Sequence, residues 1–190
     1  MDYTGEIKTY IQKEIGILSQ LDAGAISKAM NLLHETLLAE KSVYIFGNGG
    51  SAATASHFAN DFNKGVSEYT EKKFRFVCLS DNVATITAIA NDISYDEIYR
   101  HQLQGRLAQG DIVIAISGSG NSKNVINACE YAKEQGNKII GLTGYSGGKL
   151  RPLADISLHV PVDDMQITED VHMVFDHLMM SVFCRMGKAS

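Results

Sequence analysis

The 190-residue chain has few of the features that mark secreted or membrane proteins. Its cysteines, Cys78, Cys129 and Cys184, are odd in number, lack CxxC spacing and lie in apolar contexts, which is typical of buried reduced thiols. The acidic start of the chain has no apolar signal segment, and no stretch reaches the roughly 18 uninterrupted apolar residues of a membrane span. We therefore expect a cytoplasmic protein that does not enter a membrane.

Positive charge is also scarce. The formal net charge is -5 and the sequence pI is about 5.6, whereas proteins that bind nucleic acid or anionic membranes normally carry a basic face. Nucleic acid is therefore not an expected partner, and any bound anion must be held by local groups. The chain is 45% hydrophobic, enough for one core, so we predict a single domain over residues 1–190.

Proline is rare, and Pro152 and Pro161 both lie in the loop-rich last third. Before the first predicted strand, apolar residues recur every three or four positions over residues 5–39, which predicts one long or two consecutive helices with a break near Asp22 to Ala25. A helix that precedes the first strand does not connect two strands of the sheet. We expect residues 1–39 to pack against another subunit.

The rest of the chain alternates short apolar runs with helical segments. This alternation predicts a parallel sheet covered by helices on both sides. The predicted strands span residues 43–46, 74–79, 111–116, 138–143 and 155–160, and the predicted helices span residues 51–64, 82–90, 96–107, 123–135 and 166–186.

A glycine-rich turn follows the first predicted strand. Gly47, Gly49 and Gly50 leave backbone N–H groups open to a ligand, and Ser51 begins a helix whose positive end favours an anion. The turn is typical of a phosphate cradle, although such turns also serve as tight connections.

A second turn of this kind follows the strand at residues 111–116. It places three serines and two glycines between Ser117 and Ser122, where a strand again meets a helix. Hydroxyls and backbone amides at a helix start are suitable donors for phosphate oxygens. The alternative is that Ser119 or Asn121 only caps the helix.

Two predicted helices carry histidines with nearby carboxylates. His57 and Asp61 are four residues apart and share a face of the helix that follows the first glycine turn. On the last helix, Glu169 and His177 are eight residues apart, which is about 80° of rotation, and can lean toward one cavity. Two imidazoles and two carboxylates can ligate zinc or a similar ion, or act as an acid/base set. The pair His172 and Asp176 is a rival choice on the last helix.

Together these motifs resemble the phosphoheptose isomerases of the sugar isomerase (SIS) family. The resemblance covers nearly the whole chain and rests on Phe46 to Ser51 with His57, Asn91-Asp92, Ile116 to Ser122, Leu142-Thr143-Gly144, and Thr168 to His172 with His177. It implies a flavodoxin-like, five-stranded parallel sheet with leading helices, and a homotetramer with sites between subunits. The implied reaction converts sedoheptulose 7-phosphate to D-glycero-D-manno-heptose 7-phosphate, with zinc as the cofactor.

The resemblance also implies roles for individual residues. The implied catalytic residues are Asp61, Glu169 and His177, and the implied zinc ligands are His57, Asp61, Glu169 and His177. The implied substrate-binding residues are Asn48, Gly49, Gly50, Ser51, Asp61, Asn91, Asp92, Ser117, Gly118, Ser119, Ser122 and Glu169.

The sequence departs from the family pattern at three of these positions. Gly118 stands where the family usually has Thr, Asp61 where it has Glu, and Glu169 where it has Gln. Two alternatives therefore stay open. One is an isomerase for another ketose phosphate, and the other is a non-catalytic tetramer that binds the replication initiator protein.

Overall fold

A five-stranded sheet forms the centre of the structure, a computed structural model that describes residues 1–189. All its strands are parallel, in the order β2-β1-β3-β4-β5, which confirms the predicted fold class. The strands are β1 (Ser42–Gly47), β2 (Arg75–Cys78), β3 (Ile112–Ser117), β4 (Lys138–Thr143) and β5 (Ile156–His159).

Helices cover both faces of the sheet. They are α1 (Thr4–Leu18), α2 (Ala23–Leu38), α3 (Gly50–Asn60), α4 (Val83–Asp92), α5 (Arg100–Leu103), α6 (Lys123–Glu134), α7 (Leu150–Leu153) and α8 (Met165–Ala189). Successive strand residues point to opposite faces, so Ile45 packs with α2, α3 and α8 while Phe46 packs with the helices of the other face, α4 to α7. Two apolar cores result, one on each side.

The strand order reverses between β1 and β3. The chain leaves β1 through α3 toward β2, and it leaves β3 through α6 toward β4, so the two glycine turns open side by side at the carboxyl ends of neighbouring strands. Ligands of open α/β sheets bind at such a point.

The helix predicted over residues 51–64 changes its winding near its end. α3 gives way to a π-helical turn at Asp61–Gly65 and then to a short 3-10 turn at Val66–Glu68. α8 runs beside this segment in the same direction: Glu169 lies against Gly50, His177 against His57, and Cys184 against Gly65. π-helical turns often occur at functional sites.

Several other predicted boundaries need correction. The helix predicted over residues 96–107 is a 3-10 turn at Tyr95–Glu97 followed by the short α5, and α7 was not predicted. The predicted break in the leading helices is confirmed, because the Asp22 carboxylate caps α2 by accepting a hydrogen bond from the Ala25 N–H (3.0 Å). Within residues 1–189, no helix has both the length and the apolar character needed to cross a bilayer.

Candidate active site

The first glycine turn brings bare backbone to the edge of the sheet. Gly49 has φ of 56°, a left-handed conformation that glycine adopts without strain. A Cβ on Gly47 would lie 2.7 Å from Ser51 Cβ and 2.8 Å from the Ile116 carbonyl oxygen, so this position has no room for a side chain. No side chain caps the start of α3. The first amides of α3 are therefore open to an anion.

The serine turn is built in the same way. The Ser117 and Ser122 hydroxyls lie 3.2 Å apart, and Ser122 begins α6 without capping it through its side chain. Ser119 Oγ accepts a hydrogen bond from the Asn121 N–H (3.2 Å), and the Asn121 side chain bonds the Ser119 carbonyl and the Lys149 N–H. Neither side chain caps α6, and the turn is held in shape by the loop that follows β4.

Three residues that the sequence analysis missed hold the Asn48 side chain. Asn124 exchanges two amide hydrogen bonds with Asn48 (2.9 and 3.0 Å), and the Tyr95 and Tyr99 hydroxyls each donate to Asn48 Oδ1 (3.1 Å). Tyr99 also bonds the Gly47 carbonyl. The i,i+4 spacing of the two tyrosines was the available signal, but nothing in the sequence linked them to a turn some 50 residues away.

Glu169 faces the first glycine turn. A Cβ on Gly50 would lie 2.3 Å from a Glu169 carboxylate oxygen, so the carboxylate lies directly against the start of α3. A negative charge is stabilised at a helix N-terminus. One residue earlier, Thr168 is buried and would meet a Cβ on Gly144, which fixes α8 across the ends of β3 and β4. The predicted substrate-binding role of Glu169 is compatible with this position and stays a prediction.

A second group of side chains lies one to two turns further along the same helices. His57 Nε2 is 3.0 Å from His177 Nε2 and 3.5 Å from Asp61 Oδ2, and His177 Nε2 is 3.9 Å from the same Asp61 oxygen. Ligand atoms about 2.1 Å from a tetrahedral ion are about 3.4 Å apart, so these three atoms fit zinc. The structure thus brings together three of the four side chains that the sequence analysis grouped.

The predicted ligand set differs from the structure at its fourth member. Asp176, not Glu169, completes a cluster with His57, Asp61 and His177 in which the ligand atoms all lie within 4.8 Å of one another. Glu169 is two helical turns before His177, and its carboxylate is directed at Gly50 instead. Burial, with Asp61 nearby, raises the pKa of Asp176 to about 8.

The remaining predicted residues lie at the margin of the site. Ser51 is buried in the first turn of α3. Asn91 and Asp92 are exposed and belong to the last turn of α4, where the Asn91 amide donates to Asp92 Oδ1 (2.8 Å). The rival ligand His172 is buried beside Phe175, and neither ring nitrogen has a hydrogen-bond partner of normal geometry.

The family model of the sugar isomerase (SIS) domain matches residues 9–144, which contain both turns at the strand-order reversal. Among curated proteins, the phosphoheptose isomerase of Helicobacter pylori strain P12 is 37% identical over 172 residues, covering 90% of this chain and 87% of that protein. The solved phosphoheptose isomerase of Francisella tularensis has a TM-score of 0.88 and 29% identity, covering 97% of this chain and 100% of that one. That of Neisseria gonorrhoeae has a TM-score of 0.88 and 28% identity, covering 96% and 98%.

The chain therefore belongs to the phosphoheptose isomerase family of SIS-domain proteins.

Proposed function

We propose that this protein is an aldose-ketose isomerase that converts sedoheptulose 7-phosphate to D-glycero-D-manno-heptose 7-phosphate. The observation that carries the proposal is the arrangement of α8, which sets a carboxylate over the first glycine turn and an imidazole beside His57. The names of the relatives support the same substrate.

The phosphate group binds at the serine turn. Ser117, Ser119 and Ser122 supply hydroxyls there, and the uncapped start of α6 supplies amides. The turn carries no charged side chain, so it selects phosphate by geometry. Binding energy from this remote group positions the reacting carbons near the first glycine turn.

Proton transfer takes place at the other end of the sugar. A base removes a proton from C1 of the open-chain ketose to give an enediolate, the hydroxyl proton moves from O1 to O2, and a proton returns at C2. Glu169 is the carboxylate best placed as the base in this chain, although the family has Gln here, because it faces the glycine turn, lies outside the cluster around His57, and accompanies an Asp61 that is one methylene shorter than the family's Glu. The same carboxylate returns the proton at C2, and His177 and Asp61 stabilise the developing oxyanion.

A zinc ion fits this proposal. His57, Asp61 and His177 have the donor atoms and the spacing to hold it. When bound, zinc supplies a Lewis acid that stabilises negative charge on a sugar oxygen.

The assembly is a homotetramer with sites between subunits. Its support is the exposure of the site: the side chains of His57 and His177 are 44% and 56% exposed in the single chain, and α1 buries none of its residues. A neighbouring subunit would enclose both. The three free cysteines support a cytoplasmic location.

A panel of sugar phosphates followed by NMR tests the reaction. We expect interconversion of sedoheptulose 7-phosphate and its aldose, with proton exchange at C1 in D₂O, and no turnover of the unphosphorylated sugar. Turnover only of another ketose phosphate would contradict the substrate, and no turnover of any would contradict the activity and favour a binding role.

The variant Glu169→Gln tests the base. It keeps the shape of the side chain and removes the proton acceptor. The family's Gln at this position accompanies a longer Glu at position 61, which this chain lacks, so we expect kcat to fall by about 10²–10⁴-fold with KM little changed. Asp170→Asn is the matched control, because it removes one negative charge from the next residue of α8, which is exposed. Full turnover by Glu169→Gln would assign the base to Asp61 or His177, and full turnover by His177→Ala would remove that residue from the mechanism.

A further inference from the structure

Among the described residues, 1–189, the carboxylate of Asp176 is buried without a hydrogen-bond partner. Asp176 is fully buried (0% exposed), and both of its carboxylate oxygens lack a hydrogen-bond partner. Burying a carboxylate in this way is costly unless it meets a cation or hydrogen-bond donors. The position needs a partner that the protein itself does not provide.

The surroundings of Asp176 indicate what that partner is. Its carboxylate shares a space within 4.8 Å with the ligand atoms of His57, Asp61 and His177. Asp61 is itself nearly buried (8% exposed), and its other oxygen, Oδ1, accepts a hydrogen bond from the Asn60 amide at 3.2 Å. Two carboxylates and two neutral imidazoles carry a total charge of minus two. A divalent cation would balance this charge, and a monovalent cation would not.

We propose that Asp176 is the fourth protein ligand of this cation, in the place that the family resemblance gives to Glu169. The inference rests on the metal role in the proposed function. Its consequence is a division of labour along α8: Asp176 and His177 bind the ion, while Glu169, at the first glycine turn, stays free to transfer protons. A ligand from α8 also offsets the shorter side chain of Asp61, which stands where the family has the longer Glu.

Zinc binding by the intact protein tests the assignment without reference to turnover. Asp176→Asn keeps the size of the side chain but removes its charge, and Asp170→Asn, exposed on the same helix, is the matched control. In competition with a chromogenic chelator we expect the Zn²⁺ affinity of Asp176→Asn to fall at least about 100-fold, since loss of outer-shell partners alone costs 10–100-fold. The control should bind like the wild type.

Thermal unfolding tells whether Asp176 binds the metal ion or only stabilises the fold. Asp176→Asn replaces a buried carboxyl group that has no hydrogen-bond partner, so the melting temperature of the metal-free variant should be unchanged or raised, while the increase produced by Zn²⁺ shrinks. A variant that melts lower without metal and gains as much from Zn²⁺ as the wild type would overturn the proposal, because Asp176 would then serve only the fold.

A zinc-soaked crystal of the wild-type protein gives a direct answer even if the variant does not fold. We expect an Asp176 oxygen about 2.0–2.2 Å from the ion. An ion held by Glu169 instead, or an isomerase that turns over sedoheptulose 7-phosphate and binds no Zn²⁺, would overturn the inference and leave the proposed function intact. Zinc bound through Asp176 in a protein without isomerase activity would support the inference and contradict the function.

Discussion

In the proposed function, single residues of the serine turn determine the affinity for the sugar phosphate, and Gly118 is the clearest case. The family resemblance gives threonine here, and the structure has space for its Cβ, which would lie 3.4 Å from Met165 Sδ and 3.7 Å from Thr168 Cγ2, both ordinary contacts. Gly118→Thr would add one hydroxyl to the serine turn. A hydrogen bond to a charged group is worth about 1.5–3 kcal/mol, so we expect KM for the sugar phosphate to fall by about tenfold or more.

The control for this change is Gly118→Val, which has the shape of threonine and no hydroxyl. Steady-state kinetics of both variants separate the hydroxyl from the added bulk. Equal KM values for the two variants would show that no hydroxyl at this position reaches the phosphate.

His172 makes folding stability depend on pH. Burial, with His159 nearby, lowers the pKa of His172 to about 4, although the Thr143 backbone opposes this shift. Below pH 6.5 the unfolded chain takes up a proton at His172, whereas the folded chain does so only near pH 4. The contribution of His172 to the free energy of unfolding is therefore fully present above pH 6.5 and is lost as the pH falls toward 4. From pH 7.5 to 5 we expect a loss of about 2 kcal/mol from this residue.

Urea unfolding of His172→Phe at the two pH values measures this contribution. Phenylalanine keeps the contact with Phe175 and cannot titrate, so the variant should lose about 2 kcal/mol less than the wild type over this range. Other titrating groups cancel in the comparison. His101→Phe, at an exposed position, is the control and should keep the wild-type dependence. Identical pH profiles for His172→Phe and the wild type would contradict the assignment.

At the scale of helices and strands, local patterns carried most of the information. The apolar runs predicted all five strands, and the glycine and serine turns marked the starts of α3 and α6, because strand burial and turn chemistry depend on neighbouring residues. The patterns failed where packing between distant segments decides the structure. The π-helical turn at Asp61–Gly65 depends on how α8 lies beside α3. So does the presence of Asp176 instead of Glu169 in the cluster around His57, and the spacing within one helix determines neither.

The π-helical turn also supports the edge of the sheet, through Asn63. Its amide donates to the Phe76 carbonyl (2.9 Å) and its Oδ1 accepts from the Phe76 N–H (2.8 Å), satisfying the outer side of the edge strand β2. Asn63→Ala leaves both partly buried groups unpaired, so we expect the free energy of unfolding to fall by about 1–3 kcal/mol.

Urea unfolding of the metal-free protein measures this loss. Gln104→Ala, at an exposed position after α5, is the control and should change stability by less than about 0.5 kcal/mol. If Asn63→Ala were as stable as the wild type, water would be replacing the amide at the sheet edge.

At the scale of the whole molecule, the N-terminal helix α1 is the element to explain. It buries none of its residues fully, although Ile17 and Leu18 at its end pack against the core. Its polar contacts join Tyr10 to Asp170 of α8 and Lys13 to Asp164, the residue before α8. On another side, Ile7, Ile11 and Ile15 form a stripe at a spacing of four, each about half exposed (57%, 47% and 53%). An apolar stripe that is half exposed in the single chain favours burial against a neighbouring subunit, as the proposed tetramer requires.

The variant Ile11→Asp tests this role of α1. A carboxylate in the middle of the stripe would be buried unpaired in the assembly but solvated in a single chain, so we expect dissociation into smaller species by light scattering, with the circular dichroism of the fold unchanged. Thr9→Asp puts the same charge on the opposite side of α1 and should leave the assembly intact. In the proposed tetramer a neighbouring subunit encloses the exposed His57 and His177, so dissociation should also reduce turnover. An Ile11→Asp protein of unchanged size would show that α1 lies outside the subunit interface.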